Sequence, residues 1–259
     1  MSAAIAAQMS RADLLKLRKK RGTVAFALLF ACVPLVIAFL VTALQHASNA
    51  AKYQPAGGMH GFRDGLMLLA LFMGPLAAIL IGAEAGAADV SSGVFRDLVV
   101  TGGSRLGLFA ARVPAALALC WSVIALAYVM LIAGTFLFAS SLATPDAGII
   151  LDGLGFVALA TGVVCAVTVG LASLTPSKPG AITAAIGWQL VASPLIASIS
   201  SLGSSRKLIL SQALSHFSPV RIAAGSHVTM SAGAAALITA VWLAALLGLG
   251  AWRTRSVDA

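Results

Sequence analysis

Gly22-Thr-Val-Ala-Phe26-Ala-Leu-Leu-Phe30-Ala-Cys32-Val-Pro34-Leu-Val-Ile37-Ala-Phe39-Leu-Val-Thr42-Ala-Leu44 runs for 23 residues without a charged side chain, directly behind the basic cluster Lys16, Arg18, Lys19, Lys20, Arg21. As a helix it is about 35 Å long, enough to cross about 30 Å of hydrocarbon. Ser48 and Ala50 could mimic a signal-peptidase site. The apolar core is too long for a secretory signal, whose apolar region is about 7–15 residues, so a retained membrane span is the favoured reading.

Five further runs of the same kind follow, at about Leu66–Ala83, Val113–Leu137, Gly153–Leu174, Ala181–Ile199 and Ala232–Trp252. Pro114 falls in the first turn of the third, where its missing N–H costs little. Pro-Ser-Lys-Pro-Gly at 176–180 predicts a tight hairpin between the fourth and fifth. Pro194 predicts a kink in the fifth. Over the 259 residues, 60% are hydrophobic and 10% charged, and the mean hydropathy is +1.00. A soluble domain carries about 25% charged residues. This chain could not cover its own surface in water, and no stretch is left over for a soluble domain. The expected fold is an all-α integral membrane bundle of six transmembrane helices. Its parts are an interfacial helix at 1–21, a transmembrane domain at 22–252 and a tail at 253–259.

The net charge of +9 sits at the ends of the apolar runs rather than on a polar domain, which argues against a nucleic-acid partner. With the N-terminus cytoplasmic, Arg11, the five-residue cluster, Arg96, Arg105, Arg112, Lys178, Arg253 and Arg255 lie inside, twelve in all. Lys52, Arg63, Arg206, Lys207 and Arg221 lie outside, which is five. Positive residues favour the cytoplasmic side, so both termini are expected there, in the inner (plasma) membrane. Within residues 10–21, Leu14, Leu15 and Leu17 alternate with cations. As a helix this segment should lie in the lipid interface, leucines down and cations beside anionic headgroups.

Enzyme motifs are missing from the sequence. It has no G-x-x-x-x-G-K-[ST] to cradle nucleotide phosphates, no H-E-x-x-H and no G-x-S-x-G. Cys32, Cys120 and Cys165 fall inside apolar runs with no C-x-x-C, reading as small buried residues. Glu84, at the cytoplasmic end of the second run, reads as a carboxylate that reaches the interface or belongs to the cytoplasmic loop rather than a proton relay. No cofactor or metal is expected on this chain.

The segment between the second and third runs is too polar to insert. It reads Asp89-Val-Ser-Ser-Gly93-Val-Phe95-Arg96-Asp-Leu98-Val-Val-Thr101-Gly-Gly-Ser104-Arg105-Leu-Gly-Leu-Phe109-Ala-Ala-Arg112. It resembles the cytoplasmic loop of ABC transporter permeases of the second exporter type (the ABC-2 family). That loop has an acidic residue, then Gly-Thr and a leucine-bearing helix, a Ser/Thr-Pro-x-Ser-Arg turn and a terminal basic residue. Gly93, Leu98, Thr101, Ser104, Arg105 and Arg112 take the corresponding places. Ser91, Val94 and Gly102 depart from the pattern. The resemblance implies a permease subunit of an ATP-driven exporter, without an ATPase of its own. ABC ATPase subunits would bind ATP, and a second permease copy, identical or related, would complete a dimer. It also implies a short coupling helix at about Gly93–Val100, with Phe95, Leu98 and Val99 as anchors in a groove of the ATPase. Asp89, Gly93, Phe95, Arg96, Leu98, Thr101, Ser104 and Arg105 are its candidate ATPase-coupling residues. Cargo of an amphipathic kind, such as a drug, peptide or lipid-linked compound, fits this family. The alternatives are an ion- or proton-coupled secondary transporter, disfavoured by the lack of mid-membrane charge, and a non-transporting membrane scaffold.

Thr161, Cys165 and Thr168 recur at i, i+4 and i+7 on one helix face. They suit helix glue, the favoured reading, or the lining of a translocation path. Trp188 and Gln189 are further path candidates. Gly82 and Gly86 form a G-x-x-x-G that permits close packing. His46, His60, His216 and His227 fall on the outer side without ligand spacing and read as scattered surface histidines. Residues 203–227 read as an amphipathic outer segment broken by Pro219, and the family resemblance implies that it dips into the membrane.

Overall fold

The computed structural model describes residues 3–91, 104–175, 177–220 and 230–256. The described residues are helical almost throughout and contain no strand. Six helical units are long and apolar enough to cross a membrane: Arg21–Ser48, Gly58–Ala87, Arg105–Leu137, Ala147–Leu174, Lys178–Ser198 and Ala232–Ser256. These are spans one to six, and the chain is an all-α, multi-pass membrane protein. The end at which the chain enters span one is called the near end below.

Spans two and three extend beyond their apolar runs. The helix of span two starts at Gly58 rather than Leu66 and continues to Ser91. Span three starts at Arg105 rather than Val113. The added turns carry Arg63, Asp64, Glu84, Arg105 and Arg112, which lower the hydropathy without interrupting the backbone ladder. Side-chain caps set several starts. Ser104 accepts from Gly107 N at 3.2 Å, Asp146 from Ile149 N at 2.8 Å and Ser177 from Gly180 N at 3.3 Å. Each satisfies one of the amide donors that a helix start leaves without an intrahelical partner. Span four ends at Leu174 and span five starts at Lys178, so the hairpin there is as tight as its sequence predicts.

An N-terminal helix, Ala3–Lys19, precedes span one and is separated from it by Lys20 at ψ 70°. It packs along span three. Leu17 is buried in the protein core and Leu14 packs against it, while Leu15 is exposed. The expectation that all three leucines face lipid is thus corrected for Leu17. The protein itself supplies the apolar surface, because span three extends far enough to meet the helix.

Spans two and four form the most extensive helix pair. A Cβ on Gly82 would lie 2.6 Å from the Cys165 carbonyl oxygen, and one on Gly86 2.5 Å from that of Val169. One on Gly74 would lie 2.7 Å from Thr161 Cγ2. Only glycine lets the two backbones come this close. Span six crosses span four by the same device near its end, where a Cβ on Gly170 would lie 2.4 Å from the Leu246 carbonyl oxygen. At the far end, Gly58 adopts φ +66°, a conformation that favours glycine. Met59 N there donates to Ala143 O at 2.8 Å, tying the start of span two to the loop after span three.

Candidate functional site

The near end concentrates the charge. Glu84, in the last turns of span two, is only 3% exposed. An uncompensated carboxylate would be costly there. Lys178, at the start of span five, bonds Glu84 Oε2, Thr23 of span one donates to the same oxygen at 2.8 Å, and Lys20 Nζ lies 3.9 Å from Oε1. Three spans therefore meet on one carboxylate. Arg112, 2% exposed, sends Nη1 to the Gly86 carbonyl at 3.4 Å, and the Ser173 hydroxyl reaches the same oxygen at 3.4 Å. Arg105 Nη1 donates to the Arg255 carbonyl at 3.0 Å, tying span three to the end of span six. Glu84 is thus buried among partners from spans one and five rather than lying open at the interface or in the loop. Its partners lie 61 and 94 residues away, and no local pattern announces them.

Of the ATPase-coupling candidates, Gly93, Phe95, Arg96, Leu98 and Thr101 lie outside the described residues, as does the coupling helix expected at 93–100. Asp89 falls in the last turn of the helix that ends at Ser91. Ser104 and Arg105 open the helix of span three, one as its cap and the other in its first turn.

A second candidate region lies deeper, where two spans lose regular α geometry. Pro75 has no N–H to offer the Leu71 carbonyl one turn earlier. The helix widens to π form over Leu68–Met73 just before it. Span five does the same over Trp188–Ala192, just before Pro194. Pro194 is thus the disruption that its sequence predicts, expressed as a π segment. Gln189 Nε2, from the second π segment, donates to Leu71 O of the first at 3.2 Å. The side chain supplies the donor that Pro75 lacks, and so the two irregular segments are joined. Single π turns inside α-helices occur often at functional sites.

Beside this bridge is an apolar cavity of about 250 Å³ between spans two, four, five and six, with Ile79, Val164, Thr168, Gln189, Leu210 and Trp242 on its walls. Trp188 and Trp242 close one side, their rings 5.7 Å apart. The segment after span five turns back into the bundle. Leu210, Ala213 and Leu214 are buried, and Trp242 Nε1 donates to the Leu208 carbonyl at 2.9 Å. Trp242 sits ten residues into the helix of span six, about 15 Å from its start. The segment read from the sequence as amphipathic therefore folds back against the bundle over 208–214.

Thr161, Cys165 and Thr168 are all buried where span four faces span two. Both threonine hydroxyls donate back to their own helix at 2.7 Å, to Val157 O and Val164 O. Thr161 packs between helices, whereas Thr168 both packs and reaches the cavity wall. Cys32, Cys120 and Cys165 are buried free thiols. Among the described residues, no three His, Cys, Asp or Glu side chains converge to hold a metal. His46 Nδ1 bonds Tyr53 O at 2.7 Å.

The chain matches no protein-family model and no curated protein.

Proposed function

We propose that the chain is the membrane-spanning permease subunit of an ATP-driven exporter of amphipathic cargo, with both termini and the loop at 92–103 on the cytoplasmic side. The observation that carries this reading is the anchoring of that loop's two roots. Span two leaves the bundle through the Glu84 cluster and Gly86, and span three returns bonded to Gly86 O through Arg112 and to Arg255 O through Arg105. The N-terminal helix braces span three from the side. A push on a loop with stiff roots moves spans rather than dissipating in the loop. A chain without a nucleotide site needs such a lever to be driven by a separate ATPase. The irregular segments at Leu71 and Gln189 supply the complementary property, since irregular helices beside a cavity are where membrane carriers commonly build their substrate sites. At about 250 Å³ the cavity is below the usual 300–1,000 Å³ of a ligand pocket, so whole-cargo passage requires it to open.

The test is co-purification with an ABC ATPase and assay of both parts. The chain alone should hydrolyse no ATP. Phe95→Ala with Leu98→Ala should lower ATPase affinity at least about thirtyfold, the loss expected for one buried interface anchor, with membrane levels unchanged. Transport by the chain alone in proteoliposomes, driven by a proton gradient, would overturn the reading. A reporter at Asp146 that reads cytoplasmic would overturn the orientation.

A further inference from the structure

A cleft of about 620 Å³ opens at the near end between spans one, two and five. Its rim carries Lys19, Lys20, Arg21 and Lys178 against one carboxylate, Glu84. Lys20 and Lys178 face Glu84, but Lys19 and Arg21 have no ion-pair partner among the described residues. Both side chains are exposed. The bend at Lys20 brings these consecutive cations to the mouth of the cleft instead of spreading them around one helix.

Below the rim the wall changes character on all three spans at the same depth. Phe26 follows Gly22 by four residues, Ile182 follows Lys178 by four, and Leu80 precedes Glu84 by four. Residues four apart share a helix face, one turn or about 6 Å further into the membrane. Each span thus offers a polar or backbone group at the rim and an apolar side chain beneath it. A soluble anion would use only the rim. A molecule with an anionic head and a hydrocarbon chain uses both layers. Basic pockets between spans on the cytoplasmic side are suited to anionic headgroups.

We propose that this cleft is a binding site for an anionic phospholipid, its phosphate between Lys19 and Arg21 and one acyl chain against Phe26, Leu80 and Ile182. The site takes from the transport reading the cytoplasmic placement of the near end and shares the Glu84 cluster with it. Lys19, Arg21, Phe26, Leu80 and Ile182 play no part in that reading, so lipid binding and ATPase coupling can fail separately.

Native mass spectrometry of the full chain in non-ionic detergent, titrated with phosphatidylglycerol or with phosphatidylcholine of the same acyl chains, tests it. Phosphatidylglycerol should bind the more tightly, and millimolar glycerol 3-phosphate should not displace it. Lys19→Gln with Arg21→Gln, which removes no hydrogen bond or ion pair among the described residues, should weaken phosphatidylglycerol about thirtyfold, at about fivefold per cation, and leave phosphatidylcholine unchanged. Phe26→Ala should weaken both lipids alike. Lys52→Gln, at the far end, is the control and should change nothing. Equal affinity for the two lipids, or an unchanged affinity in the double variant, overturns the proposal. So does full displacement by glycerol 3-phosphate, which would reassign the rim to a soluble anion.

Discussion

Spans two and four are each 67% buried over their most apolar stretch, whereas span five is 22% buried and span six 11%. Hydropathy does not explain the difference, since all four are apolar enough to sit in lipid. The placement of small residues does. Between spans two and four, Gly74, Gly82 and Gly86 meet Thr161, Cys165 and Val169 along nearly the full thickness. Span six has such a meeting only near its near end, at Gly170 and Gly250, while a Cβ on Gly233 or Gly248 would touch nothing within 4 Å. In a bilayer, apolar side chains gain little by leaving lipid for protein, so close backbone approach and polar bonds decide what packs. The compact pair is held by shape, and the open side by a few polar ties at particular depths.

The largest expected effect breaks the compact pair. Gly82→Leu forces a side chain into the Cys165 carbonyl, which no rotamer relieves, and should lower unfolding stability by on the order of 3 kcal/mol or more. The same exchange at Gly248 should stay within about 0.5 kcal/mol, as for a surface change. Thermal unfolding in one detergent, followed by tryptophan fluorescence, compares the two. Equal losses would show that shape does not hold spans two and four.

Next comes the tie between the two regions. Lys178→Met leaves the buried Glu84 carboxylate with only Thr23 and a distant Lys20. It should cost about 2 kcal/mol, below the 3–5 kcal/mol of a fully buried pair, because Lys178 is one-third exposed. Glu84→Gln should cost less, since Lys178 can turn to water. If Glu84→Gln proves the more damaging of the two, the lysine rather than the carboxylate is the group that the fold must compensate.

The smallest effect concerns the polar bond on the open side. Gln189→Leu removes the donor to Leu71 O and should cost about 0.6 kcal/mol, the average for interhelical hydrogen bonds in membranes. Its signature is local: hydrogen exchange should accelerate over 68–73 and 188–192 while the contacts of Gly82 stay protected. Protection unchanged in both π segments would mean that the bridge does not hold them.

The number of spans and their order were legible because each apolar run is long and uncharged. Their ends were not, because Arg63, Glu84 and Arg112 depress hydropathy while leaving the helix intact. The G-x-x-x-G at Gly82 and Gly86 was visible, but the sequence did not say which helix it meets. The Glu84 cluster was hidden by separation along the chain. Gln189 stands out in the sequence as a polar residue in an apolar run, but its partner depends on Pro75, whose effect appears only when span five is beside it. Coupling residues 93–101 stand on resemblance, and their position in the fold is the work of the ATPase assay.

The π segments carry a consequence for any residue-by-residue survey of these helices. Regular α geometry advances each residue by about 100° around the axis, so the lipid-facing positions recur with one phase. Each residue that a π turn inserts shifts that phase by about the same 100°. Cysteine labelling along span two should therefore give two periodic traces, one before Leu68 and one after Met73, that cannot be fitted by one wave. Span five should show the same discontinuity at Trp188–Ala192, and span four, regular from Ala147 to Leu174, should show none.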